Sequence, residues 1–167
     1  MKRQIPMRSG LLMINRSFKY LTMKYLYLLL VLLSSITFYG QKQVLKNKSQ
    51  ALELSKKITT LLKEEKIADA FLLLEKYWPT SQDQIDVFKE KTIQDFSLIK
   101  QRFGPAIGMV KVNEETIKDF ALRETYFIKH KTSPIRIIYS YYKNNEGWIV
   151  NNFSWDDVFI NEFKSTY

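Results

Sequence analysis

The chain has 167 residues, of which 46% are hydrophobic and 26% are charged, as in an ordinary globular protein. It contains no cysteine, which excludes disulfides, thiolate catalysis and cysteine-ligated metal sites. The formal net charge is +9, but six basic residues and no acidic residue precede Gln41, which leaves 20 basic against 17 acidic residues beyond it. Because this remaining charge is small and mixed in sign, we do not expect nucleic-acid binding.

Residues 1–40 have the layout of a secretory signal peptide with an over-long basic region at its start. Lys24 precedes a leucine-rich apolar run over residues 25–33, and Gly40 offers a small residue for cleavage. The apolar run is shorter than the roughly 20 residues that a membrane-spanning helix needs. We therefore expect a periplasmic or secreted protein cleaved near Gly40, and the alternative is an uncleaved N-terminal membrane anchor. The alternative start residues are Met1, Met13 and Met23.

Three helices are predicted after cleavage, in a single domain over residues 49–167 that follows a flexible lead-in over residues 41–48. The first has apolar residues at helical spacing from Ala51 to Leu62, with Asn47 or Ser49 as the N-cap. The second covers residues 67–78 and ends before Pro79. The third starts at the N-cap Ser81 and stops at Gly104-Pro105.

Strands follow Pro105, where the apolar period changes from about 3.6 residues to two. A short strand is predicted over residues 109–112, and longer strands over residues 122–130 and 135–142. Asn144 and Gly147 bound a hairpin turn into a strand over residues 148–153. Ser154 is predicted to cap a last short helix over residues 156–163, with Val158, Phe159 and Phe163 facing inward.

This element order resembles the cystatin-like, or NTF2-like, class of small secreted domains of unknown function. The residues that carry the resemblance are Arg102-Phe103-Gly104, Tyr141-Tyr142, Gly147-Trp148 and Phe153. The resemblance implies an α+β fold with three N-terminal helices packed on a curved antiparallel sheet of about four strands. It also implies that a conical pocket can remain between helices and sheet. Members of the class are enzymes or binding modules, so the fold gives neither role by itself.

Residues suited to catalysis or metal binding are scarce. His130, the single histidine, lies between Lys129 and Lys131 and is predicted to be an exposed strand-end residue. Asp156-Asp157 fits the start of a helix better than a metal site, since adjacent helical residues point in different directions. Glu124 is the acid closest to an apolar strand face. We therefore assign no catalytic residue, no metal and no cofactor.

Aromatic and arginine side chains form the candidate ligand-binding set. If one strand face lines an open pocket, these residues suit an apolar ligand or a carboxylate; otherwise the rings fill the core and the arginines lie at its rim. The inward face of the last hairpin is expected to lie opposite Phe96 and Phe103 of the third helix. The set consists of Tyr77, Trp78, Arg102, Tyr126, Arg136, Tyr139, Tyr141 and Trp148.

Three functions are compatible with these features. The first is an exported, non-catalytic domain that binds a small ligand or a protein partner. The second is an enzyme that uses the pocket between sheet and helices, and the third is a structural module that forms a homodimer. The sequence does not identify the ligand or partner, and it suggests membrane contact only through an uncleaved leader.

Overall fold

The computed structural model describes residues 42–158 and 162–163, all in the second of two units into which the chain divides, Lys42–Tyr167. The predictions for residues 1–41, including the signal peptide, lie outside the described residues. Three helices precede four strands, which makes the fold α+β. The elements are α1 (Lys48–Lys63), α2 (Ile67–Leu74), α3 (Gln82–Phe103), β1 (Ala106–Ile117), β2 (Ala121–His130), β3 (Pro134–Lys143) and β4 (Trp148–Asp156).

Helix α1 begins as its sequence predicts. The Asn47 side chain accepts a hydrogen bond from the Gln50 backbone N–H at 3.0 Å, so Asn47 rather than Ser49 is the N-cap. Helix α2 ends at Leu74, earlier than predicted from Pro79. The chain turns at this point, and the Tyr77 carbonyl accepts a hydrogen bond from the Val150 backbone N–H at 2.9 Å. A tertiary hydrogen bond to the sheet therefore accompanies this early end.

Helix α3 spans the predicted residues and stops at Gly104, whose φ of +82° favours glycine. Ser81 occupies the N-cap position, but its side chain makes no capping hydrogen bond. Among the described residues, no helix is long and apolar enough to cross a membrane.

The four strands form one antiparallel sheet in the order β1-β2-β3-β4. Strand β1 is 12 residues long, so the prediction of a short strand over residues 109–112 was wrong. A bulge between Lys111 and Asn113 adds one unpaired residue and breaks the two-residue period on which strand prediction depends. As a result, Lys111 and Glu114, three residues apart, both point to the helix side, where they contact Glu124 and Lys48.

The helices cover one face of the sheet, which we call the inner face. Its side chains are almost completely buried in one core with α1 and α2. The hydroxyl groups of Tyr139 and Tyr141 reach α1, at 2.9 Å from Thr59 Oγ1 and 2.6 Å from Ser55 Oγ. The expectation that α3 lies opposite these tyrosines needs correction, because apolar spacing alone ignored the small hydroxyl residues of α1.

The contribution of α3 lies farther along the sheet. Phe96 packs edge-to-face on Trp155, with ring centroids 5.3 Å apart. Phe88 contacts Phe71, Trp78 and Phe153 in the same edge-to-face manner. The aromatic stripe of α3 is therefore core, packed against the end of β4 and against α2.

Residues just before α1 cover the edge of β4. Leu45 forms an isolated antiparallel bridge with Trp148, with two backbone hydrogen bonds of 2.8 Å. The predicted turn at residues 144–147 is confirmed, since Asn144 Oδ1 accepts hydrogen bonds from the backbone N–H groups of Glu146 and Gly147. A Cβ on Gly147 would lie 2.6 Å from the Leu45 carbonyl oxygen, so the close approach requires glycine.

The C-terminal segment differs from its prediction. Ser154 lies inside β4, paired with Ile138, and does not cap a helix. Val158 and Phe163 are exposed rather than directed inward, and Phe159 lies outside the described residues. Strand pairing continues because Arg136 of β3 forms an ion pair with Asp156 at 2.7 Å. The preference of Ser154 for a helix N-cap is therefore weaker here than the pairing of β3 with β4.

Trp148→Ala tests the packing of the inner face. Trp148 is 2% exposed, and removal of such a side chain should lower the free energy of unfolding by about 3–5 kcal/mol. Tyr142→Ala, on the opposite face and 37% exposed, is the control and should cost no more than about 1 kcal/mol. Denaturant unfolding measures both values. A loss for Trp148→Ala that is no larger than the control would contradict the assigned core.

Candidate functional site

The eight residues of the predicted ligand-binding set do not form one site. Tyr126, Tyr139, Tyr141 and Trp148 lie in the buried core, and Tyr77 and Trp78 are half-buried beyond the end of α2. The two arginines lie elsewhere: Arg102 is exposed near the end of α3, 3.5 Å from Asp157, and Arg136 forms a bidentate ion pair with Asp156.

Aromatic rings fill the space beside the inner face. Tyr126 and Tyr139 pack edge-to-face with centroids 6.0 Å apart, and Tyr139 lies 5.4 Å from Phe153. Burial raises the pKa of the Tyr126, Tyr139 and Tyr141 hydroxyls well above the ordinary tyrosine range, because it penalises the charged phenolate. These rings therefore act as core, which was the second of the two readings of the aromatic set.

A buried acid lies among these rings. Glu124 is 0% exposed, and its Oε1 atom accepts hydrogen bonds from Lys111 Nζ at 2.7 Å and Tyr126 Oη at 3.2 Å. Its Oε2 atom has no partner in the part of the chain that the structure describes. Burial lowers the pKa of Lys111, but hydrogen bonds to Glu114 and Glu124 outweigh that effect and raise it overall.

The buried ion pair is connected to the protein surface. Lys111 Nζ also lies 2.5 Å from Glu114 Oε2, and Glu114 Oε1 lies 2.6 Å from Lys48 Nζ at the start of α1. The hydrogen bonds from Lys111 and then Lys48 lower the pKa of Glu114. This chain of charges joins β1 to α1. Sequence reasoning noted Glu124 but missed Lys111 and Glu114, because the bulge that aligns them leaves no regular pattern.

Chemistry at Glu124 would require access for a substrate. Neither Glu124 nor Tyr126 lines any of four surface cavities formed by the described residues. With one lysine and one tyrosine hydroxyl on its carboxylate, Glu124 fixes the position of β1 against the core. The geometry supports a structural role for this cluster.

His130 is half-buried, so the prediction of an exposed residue was wrong. Its Nδ1 atom lies 2.8 Å from the Gly104 carbonyl oxygen, and its Nε2 atom is buried without a hydrogen-bond partner among the described residues. His130 pairs with Ala106 across strands β1 and β2, and this pairing places it next to the end of α3. Asp156 and Asp157 each contact an arginine, and the described residues contain no group of three or more potential metal ligands.

The outer face of the sheet carries an open cavity of about 460 Å³ near the β1–β2 turn. We call it the sheet-face cavity. Ile117 and Phe120 are 66% and 54% exposed, and the Phe120 and Tyr142 rings pack edge-to-face at 5.1 Å. It is lined by Glu115, Ile117, Phe120, Ala121, Leu122, Arg123, Ser140, Tyr141, Tyr142 and Asn151.

Polar side chains occupy the same cavity. Arg123 and Glu115 are register partners on neighbouring strands and form an ion pair of 2.5 Å. A bulge between Ser140 and Tyr141 leaves Asn151 as the extra residue of β4, so Asn151 and Asn152 are both exposed. Sequence reasoning selected neither Glu115 nor the two asparagines. The available signal was two successive asparagines within a strand, where asparagine is disfavoured.

Other surface cavities are less well suited to a ligand. One of about 530 Å³ lies on α1 and α2 and is lined by Glu53, Lys56, Lys57, Thr60, Leu61 and Leu73. Its charged side chains are long and exposed, and it contains no aromatic ring. Two further cavities of about 220 and 350 Å³ lie beside Tyr77 and beside Trp155. We therefore favour the sheet-face cavity despite its smaller volume, because strands hold its polar groups and Tyr142 in place and the Phe120 ring packs on Tyr142.

Comparison with known proteins gives no functional assignment. The chain matches no protein-family model, no curated protein and no solved structure. The functional inference therefore depends on the geometry of the described residues.

Removal of one charge and then of both charges tests the buried ion pair. Lys111→Met leaves a buried carboxylate without its cation and should destabilise the protein by about 3 kcal/mol. Lys111→Met combined with Glu124→Leu removes both charges and should recover most of that loss. Lys48→Met is the control, because Lys48 lies at the exposed end of the charge chain and should cost at most about 1 kcal/mol. Equal losses for the single and the double variant, measured by denaturant unfolding, would refute the pairing.

Proposed function

We propose that this protein is an exported, non-catalytic domain that binds a small ligand in the sheet-face cavity. The observation that carries the proposal is the combination of exposed aromatic rings and strand-held polar groups in one cavity of about 460 Å³. Ligand sites generally have this size and this mixture of apolar walls with a few polar groups. The N-terminal basic and apolar pattern supports export.

Within the α+β class, we propose that the fold is cystatin-like, or NTF2-like. The order of three helices before a four-stranded antiparallel sheet supports it, as does the packing of α1 on one sheet face. In this structure the space between sheet and helices contains packed rings, so the proposed ligand binds on the opposite face.

A binding role accounts for the cavity better than an enzymatic one. Glu115, the acid within it, forms an ion pair with Arg123, and the fully buried acid Glu124 faces the other side of the sheet. General acid–base catalysis needs a group within hydrogen-bond reach of the substrate. The residues that line the cavity position a ligand and give no nucleophile–base pair.

Homodimerisation is the second candidate, because Ile117 and Phe120 expose apolar surface. A second copy that covers these side chains would bury the same cavity that the proposed ligand occupies. The two candidates make different predictions for concentration dependence. Only the dimer predicts that sedimentation behaviour changes with protein concentration and that Phe120→Ala abolishes the change.

Fragment binding followed by nuclear magnetic resonance tests the proposed function. Full-length ¹⁵N-labelled protein is titrated with phenol, indole, benzoate and the methyl glycoside of glucose at millimolar concentrations. We expect at least one probe to shift the amide signals of Phe120, Arg123, Tyr142 and Asn151 together, and Tyr142→Ala to weaken that binding about tenfold or more.

Val87→Ala is the matched control, since Val87 is an exposed apolar residue of α3 outside the four cavities. It should leave the binding unchanged. The proposed function fails if no probe perturbs this group of amides, or if all perturbations cluster on another surface.

A further inference from the structure

The chemistry of the sheet-face cavity narrows the class of its ligand. Building on the proposed function, we infer that the cavity binds a neutral, hydroxyl-rich ring, that is, a saccharide unit. Two independent features point to this class: the exposed aromatic wall and a polar set that carries no net charge.

The aromatic wall consists of Phe120 and Tyr142. Their edge-to-face contact at 5.1 Å holds both rings in place, and the two residues remain 54% and 37% exposed. Ile117, 66% exposed, extends the apolar surface next to Phe120, and its carbonyl oxygen accepts a hydrogen bond from the Phe120 backbone N–H. Rings presented in this way offer an apolar surface whose edges stay in contact with water. Such a surface matches a ligand with one apolar face and a hydrated edge.

The charged groups around the cavity are already paired. Arg123 lies 2.5 Å from Glu115, and Lys143 forms an ion pair with Asp119, the neighbour of Phe120. An anionic ligand would have to displace a carboxylate from Arg123 and would meet no unpaired cation in compensation among the lining residues. The cavity therefore disfavours anions and suits a neutral ligand.

The uncharged polar groups can both donate and accept hydrogen bonds. The side chains of Ser140 and Asn151 have no hydrogen-bond partner in the part of the chain that the structure describes. A hydroxyl and an amide each offer donor and acceptor atoms, and the Arg123–Glu115 pair adds further donors and acceptors. Saccharide hydroxyls need this mixture, because each one donates and accepts at once.

The bulge in β4 explains how Asn151 reaches the cavity. In a regular strand, neighbouring residues alternate between faces, and Val150 and Phe153 both point into the core. The extra residue at the bulge allows Asn151 and Asn152 to lie on the outer face together. Bulges commonly redirect a side chain next to a functional site.

Saturation-transfer NMR and amide-shift mapping with the full-length protein test the inference. The neutral probes are the methyl glycosides of glucose, galactose, mannose and N-acetylglucosamine, with maltose and cellobiose. Glucuronate and benzoate serve as anionic probes. We expect at least one neutral saccharide to shift the amides of Phe120, Tyr142 and Asn151, and to bind at least about tenfold more tightly than glucuronate.

Asn151→Ala should weaken saccharide binding about tenfold, while Asn152→Ala, the neighbour that does not line the cavity, should leave it unchanged. If benzoate or another aromatic probe shifts these amides and no saccharide does, the saccharide inference is wrong and the proposed function stands. If no probe shifts them, both are wrong. Tighter binding of glucuronate than of every neutral saccharide would also overturn the inference.

Discussion

The close packing of α1 on the inner face of the sheet is the interaction on which the rest of the structure depends. Ser55 and Thr59 are small enough for the helix to approach the sheet, and each contacts a tyrosine hydroxyl, of Tyr141 and Tyr139 respectively. Buried hydroxyl groups need such partners, since an unpaired buried polar group costs about 1–3 kcal/mol. The Lys111–Glu124 pair then holds β1 against the same core.

The filled interior is the reason that the ligand site we propose lies on the outer face of the sheet. A conical pocket between sheet and helices would require the inner-face tyrosines to line an opening, but their rings pack against each other and against Phe153. The outer face is different, because near the β1–β2 turn it presents aromatic and polar side chains that no described element covers. The same sheet thus separates a buried structural face from the face that we propose to bind a ligand.

Much of the fold could be predicted from the spacing of apolar residues and from the residues that end helices and form turns. The apolar spacing of α1 and α3, the stop at Gly104 and the turn at residues 144–147 all follow local rules that tertiary contacts reinforce. The extent of β1 and the outward position of Asn151 could not be predicted, because both depend on bulges that shift the register by one residue. The sheet-face cavity was missed for a different reason: the prediction selected the large inward-facing rings, and of its eight residues Tyr141 alone is among those that line the cavity.

Alkaline titration of the tyrosines tests most directly whether the interior is closed. Because the pKa values of Tyr126, Tyr139 and Tyr141 are raised in the folded protein, these hydroxyls lose their protons at a lower pH in the unfolded state, at about pH 10. Their contribution to stability is therefore complete below about pH 10 and declines as the pH rises further.

Ultraviolet absorbance and circular dichroism, recorded together, should show that Tyr126, Tyr139 and Tyr141 ionise only as the protein unfolds. The variants Tyr126→Phe, Tyr139→Phe and Tyr141→Phe should each remove one of these late ionisations. Reversible ionisation of all ten tyrosines while the circular dichroism stays native would show that solvent reaches the inner face, and would contradict a closed core.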